Sequence, residues 1–228
     1  MTPRNGNHGL PAPFQVRDCS LVSQATGLRA RTLGELRSSL RTIPLSSIYH
    51  HFWGRLLRAQ FSEPEFNNDF ASWAQHALHD RVVAEKLGAV NPGSLSDFEG
   101  VRSELLEILE ARLEETEFVP WAQGDQQFHF ILSQIIVFDT GYRLDDPAAL
   151  AASIGVLPPG SIYYHFIDSR RRTPHGEDDF SLWLRSFGEP WAAAAQAIRG
   201  VDPYFSSLAE LRANLTTTLQ EHAREVEA

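Results

Sequence analysis

Apolar positions in this chain recur at helical spacing in four blocks, and the set of blocks comes twice. Phe98, Val101, Leu105, Leu109 and Leu113 fall three or four residues apart, with Ile108 beside them three on from Leu105, and Leu208, Leu211, Leu215 and Leu219 repeat the spacing. That is the stripe of an amphipathic helix. Ile48, Phe52 and Leu56 form a shorter stripe within a segment expected to be helical over about 47–58, with its counterpart at about 161–172. A further helix is expected to begin near Asn68 and again near Asp179, carrying Phe70, Trp73, Ala77 and Val83 or Phe180, Trp183 and Phe187. The earliest helix of each set is marked by its start. Thr32 with Glu35 three residues on reads as a capping box, and Asp146-Pro147 reads as an N-cap followed by proline at the first helical position. Pro44 and Pro158 are expected to close these two helices.

The segments that open each set are ambiguous. FHFILSQIIVFDTG (128–141) is rich in aromatic and β-branched residues, which suits a strand. Phe128, Ile131, Leu132, Ile135 and Ile136 also fit a helix ending at Gly141. FQVRDCSLVSQATG (14–27) supports either, and a short strand is favoured.

The doubling is visible residue by residue. SIYHHF at Ser47–Phe52 returns as SIYYHF at Ser161–Phe166, 114 residues on. The same offset pairs Phe14 with Phe128, Thr26-Gly27 with Thr140-Gly141, Arg29 with Arg143, Leu36 with Leu150 and Pro44 with Pro158. DFASW at Asp69–Trp73 matches DFSLW at Asp179–Trp183 with an offset of 110, and Val101-Arg102 matches Leu211-Arg212. These matches predict a mainly α protein: a tandem duplication of a four-helix unit in a pseudo-two-fold arrangement, with one short strand opening each copy. The expected boundaries are a tail over 1–13, a first unit over 14–113, a junction over 114–127 and a second unit over 128–228.

Composition narrows the function classes. Basic residues number 20 against 29 acidic, a net charge of −9, which opposes non-specific attraction to nucleic acid or anionic lipid. A single cysteine excludes an internal disulfide and any cysteine-rich metal centre. The opening MTPRNGNHGLPAP lacks the apolar run of a signal peptide, and FILSQIIVF is too short to span a bilayer. A cytoplasmic protein is expected. FQVRDCSLV, ATGLRA, SIYHHFWG, NDFASW, FVPWA, SIYYHFIDSRRR and DDFSLWL together resemble an uncharacterised bacterial family catalogued as a domain of unknown function. That resemblance covers nearly the whole chain after its first residues and brings no activity or catalytic residue with it.

Candidate chemistry rests on polar residues kept in both copies: Ser47 and Ser161, Tyr49 and Tyr163, His51 and His165, Arg58 and Arg172, Asp69 and Asp179. Ser47, His51 and Arg55 would share one helix face, and Asp69, Trp73, His76 and Asp80 another. If the faces meet, His51 bonds Asp69 and His165 bonds Asp179. One reading is a site for proton transfer or metal ligation using Tyr49, His51, Asp69 and His76, or Tyr163, His165 and Asp179. The other is a buried hydrogen bond that fixes two helices, and retention in both copies favours it. His50-His51 cannot easily share one ion, because adjacent helical residues point about 100° apart. His76 and His79 are spaced to share one, but read more simply as a surface pair. Arg170, Arg171 and Arg172 are candidates for clamping a phosphate or carboxylate, against the alternative of solvated charge at a helix end. Cys19 reads as a small core residue. The expectation is a non-catalytic binding or regulatory module, with no metal or cofactor, whose partner is another protein or a small anionic ligand. An enzyme, possible metal assistance included, is the alternative.

Overall fold

Aromatic and β-branched residues crowd the second opening segment, and in the computed structural model of the chain both opening segments are long strands. β1 spans Phe14–Ala30 and β2 spans Phe128–Leu144, each 17 residues. The structure describes residues 11–58, 65–95, 97–115, 123–173, 175–189 and 191–227. Among them β1 and β2 pair as one two-stranded antiparallel sheet. Among the described residues ten α-helices follow the strands, five after each: α1 Leu33–Leu40, α2 Leu45–Trp53, α3 Asp69–His76, α4 Arg81–Gly88 and α5 Phe98–Glu115, then α6 Pro147–Ser153, α7 Pro159–Ile162, α8 Asp179–Arg185, α9 Trp191–Arg199 and α10 Leu208–Glu227.

This corrects the mainly α, tandem four-helix expectation. The opening segments are neither helices nor short strands, and among the described residues five helices rather than four follow each of them. The helix expected to run on from Asn68 through Val83 breaks at His79, whose φ of 56° lies in the left-handed region. Asp80 then caps a new helix, accepting from the Val83 amide at 3.2 Å, so it does not share a helix face with Asp69 and Trp73. Pro44 and Pro158 do not close helices but stand at the N-caps of α2 and α7. Beyond α7 the chain tightens through a π turn, Tyr163–Ile167, into a 3₁₀ turn, Asp168–Arg171. Arg55 lies past the end of α2, outside the stripe expected for it. Residues 1–10 of the expected tail and 116–122 of the expected junction, Trp121 included, lie outside the described residues.

Two compact units are present. One comprises Ser20–Ile136 with Pro203–Phe205, and carries α1 to α5. The other comprises the described part of Met1–Cys19 with Val137–Asp202 and Ser206–Ala228, and carries α6 to α10. Each unit thus takes the start of one strand and the end of the other. In the α1–α5 unit, α5 packs on α1, α2 and α4 and buries Val101, Leu105 and Leu109 completely. In the α6–α10 unit, α10 packs on α6, α7 and α9 and buries Leu211, Leu215 and Leu219. An arginine on each long helix satisfies carbonyls at a neighbouring helix end. Arg102 donates to the Leu40 and Ile43 oxygens, and Arg212 to the Leu157 oxygen at 3.0 Å. No described helix is long and apolar enough to cross a membrane.

Candidate functional site

The α1–α5 unit places His51 near the end of α2, where Asn68 has set the start of α3 by capping the Ala71 amide at 2.9 Å. Asp69, the first residue of α3, thereby reaches His51: Nδ1 lies 2.9 Å from Asp69 Oδ2. Phe70 and Phe128 flank the imidazole at centroid distances of 5.2 and 4.7 Å and stack on each other at 5.1 Å. The decisive partner is the strand. The Ile131 amide on β2 donates to His51 Nε2 at 3.2 Å. An amide N–H can only donate, so Nε2 carries no proton and Nδ1 carries the one that Asp69 accepts.

The α6–α10 unit builds the same arrangement from other residues. His165 Nδ1 lies 2.9 Å from Asp179 Oδ2, and the Arg17 amide on β1 donates to His165 Nε2 at 2.9 Å. Phe14 and Phe180 pack on the ring at 4.8 and 5.5 Å. Arg172 adds a second donor to Asp179 Oδ2 at 3.2 Å. Both imidazoles are nearly buried and both ring nitrogens of each are occupied. On each ring the one lone pair, at Nε2, already accepts a strand amide, so an ion or a proton could reach it only by displacing that amide.

His50 faces a different set. Arg58 Nη2 lies 3.1 Å from its Nε2, and Ser133 on β2 contacts its Nδ1. A guanidinium only donates, so Nε2 accepts and the Nδ1 proton goes to Ser133 Oγ. Burial, with the nearby His51 and Arg58, pushes the His50 imidazole down to about 4. A neutral imidazole whose proton already points at the serine is no base for it, so the Ser133–His50 contact lacks the polarity of an activated nucleophile. His50, His51 and Asp69 each bring a ligand atom to within 4.8 Å of the others. With the nitrogens of both histidines engaged, an ion would have to displace the Ile131 amide, Arg58 or Ser133 first. Sequence reasoning passed over this His50 network. Retention of Arg58 as Arg172 was the available signal, but the 114-residue offset sets His50 against Tyr164 and Ser133 against Cys19, which hid the partners.

The other candidates are dispersed. The Tyr49 ring lies buried 5.2 Å from Phe98, and Tyr163 is fully buried. His76 is exposed beside Glu65 at 3.5 Å, and His79 pairs with Asp125 at 2.8 Å, so each faces its own carboxylate. The three arginines diverge. Arg170 lies over the Phe166 ring at 4.6 Å, with its charge disfavoured by burial. Arg171 and Arg172 both bond the buried Asp168 carboxylate, and Arg172 also covers the Tyr164 ring at 4.1 Å. Cys19 gives its thiol proton to the Gly160 carbonyl, and burial together with Asp168 and Asp18 pushes that thiol up to about 12.

The chain is similar to a solved structure, OrfY from Thermoproteus tenax, at a TM-score of 0.81 and 29% identity, over 93% of this chain and 96% of that one. No curated protein matches it. The family of unknown function DUF5752 matches residues 11–220, and the chain belongs to that family.

Proposed function

We propose that this protein is a non-catalytic binding module for an extended polypeptide, which docks along the second half of β2. The observation that carries this reading is the exposure of Val137, Phe138 and Tyr142 on that strand, at 40%, 47% and 49%. Large apolar side chains clustered on an exposed strand mark interaction surfaces more often than scattered ones do. Within the α6–α10 unit this half of β2 lies beside the start of β1, with Thr140 Oγ1 donating to the Val16 carbonyl at 2.5 Å. No third strand joins the sheet among the described residues. An open edge with apolar side chains is the template used in β-augmentation, where main-chain hydrogen bonds supply affinity and alternate side chains supply specificity. The commitment of both ring nitrogens of His51 and His165 supports the non-catalytic half of the reading.

A photocrosslinking amino acid placed at Phe138 tests it, in the cells that make the protein, with the same probe at Val156 as the control. Val156 is 81% exposed and lies off the sheet. Discrete polypeptide adducts at Phe138, absent at Val156 and lost in a Tyr142→Glu background, are expected. Adducts that do not differ between the two positions, or none at Phe138, would retire the reading.

A further inference from the structure

We propose that His165 is an acid-sensitive latch that holds the start of β1 in the α6–α10 unit. The argument is one of proton inventory. A neutral imidazole has one N–H and one lone pair. In His165 the N–H points to Asp179 Oδ2 at 2.9 Å, and the lone pair receives the Arg17 amide at 2.9 Å. The only place for another proton is therefore the nitrogen that holds the strand. Once protonated, Nε2–H and the Arg17 N–H face each other donor to donor, and the contact opens.

The direction of release follows from what surrounds the ring. From α8 it faces the Asp179 carboxylate and the Phe180 ring. From its own segment it faces Tyr164, with Arg172 reaching the same Asp179 oxygen at 3.2 Å. Among the described residues of β1 it meets the Phe14 ring and the Arg17 main chain. A protonated imidazole gains a charge-assisted bond to Asp179 and gains nothing from the strand. The ring stays with α8, and the strand is the side that lets go. Phe14 also packs on Trp183 at 5.4 Å, so the indole senses the change.

The experiment is amide exchange on the full chain, read as protection factors so that the intrinsic pH dependence of exchange cancels. As pH is lowered within the range where Leu215, buried in α10, keeps its protection, the Arg17 amide is expected to lose tenfold or more of its own. His165→Gln retains one acceptor and one donor but does not titrate, and in that variant Arg17 protection should not change with pH. Unchanged Arg17 protection in the wild type overturns the latch. So does an equal loss in His165→Gln, or a loss at Leu215 in step with Arg17. Should the variant fail to fold, the wild-type imidazole ¹⁵N shifts decide: Nε2 of His165 must gain its proton over the same pH range, and a ring that stays neutral across it overturns the proposal.

Discussion

Nε2 of His51 sits 3.2 Å from the Ile131 amide, so a side chain stands where a neighbouring strand's carbonyl would otherwise be. Unpaired main-chain donors at a sheet edge need an acceptor when they are buried, and an imidazole oriented by a carboxylate supplies one without adding a strand. His51→Ala should therefore leave both the Ile131 amide and Asp69 without their partner. A loss of about 1–3 kcal/mol is expected from the unfolding midpoint in urea. The His51→Ala/Asp69→Ala double variant should lose less than the two single variants together, because both act through one bond. Additive losses would mean that the pair is not coupled.

Ser47 and Ser161 lead to the opposite expectation. Both are fully buried, and the hydroxyl oxygen of each has no hydrogen-bond partner among the described residues. A stranded hydroxyl costs stability and a methyl group does not. Ser47→Ala and Ser161→Ala should leave the Tm unchanged or raise it. A drop in either, equivalent to more than about 1 kcal/mol, would show that the hydroxyl is bonded in solution.

His50 has a folded value of about 4 against an ordinary 6.5. As pH falls through that window the unfolded chain takes up the proton first. The stability His50 contributes is thus complete above about 6.5 and lost as pH falls toward 4. Unfolding free energy measured across this range should rise with pH, and the slope should be shallower in His50→Gln. Equal slopes in the two proteins would contradict the burial of a neutral imidazole at this position.

The Cys19 thiol, pushed up to about 12 and buried, should be inert in the folded protein. Iodoacetamide at pH 8 should fail to label it until denaturant is added, and rapid labelling without denaturant would place the thiol in an open, activated setting.

The parts of this fold that were legible in the sequence are those with local causes. Thr32 and Asp146 cap their helices through short-range bonds, to Glu35 and Ala149, that any reader of spacing can expect. The His51–Asp69 and His165–Asp179 pairs were legible because both halves retain them. The strands were harder. Phe128–Phe138 satisfies helical and extended spacing equally, and its identity is settled by β1, far away in the chain. The Arg17 and Ile131 amides left no trace at all, since a main-chain donor looks the same at every position. That is why the sequence pointed to the carboxylate partner of each imidazole and not to the strand amide on its other nitrogen.

Arg17 and His165 are 148 residues apart in the chain and meet through a single hydrogen bond. A ribosome that adds roughly 5–20 residues each second makes Arg17 some 7–30 s before its acceptor exists. During that interval Phe14, Val16 and Cys19, all buried in the finished protein, have no surface to rest on. The α6–α10 unit thus joins β1 to helices made long after it. Until they emerge, the start of β1 is an apolar thread exposed to whatever else is being folded nearby.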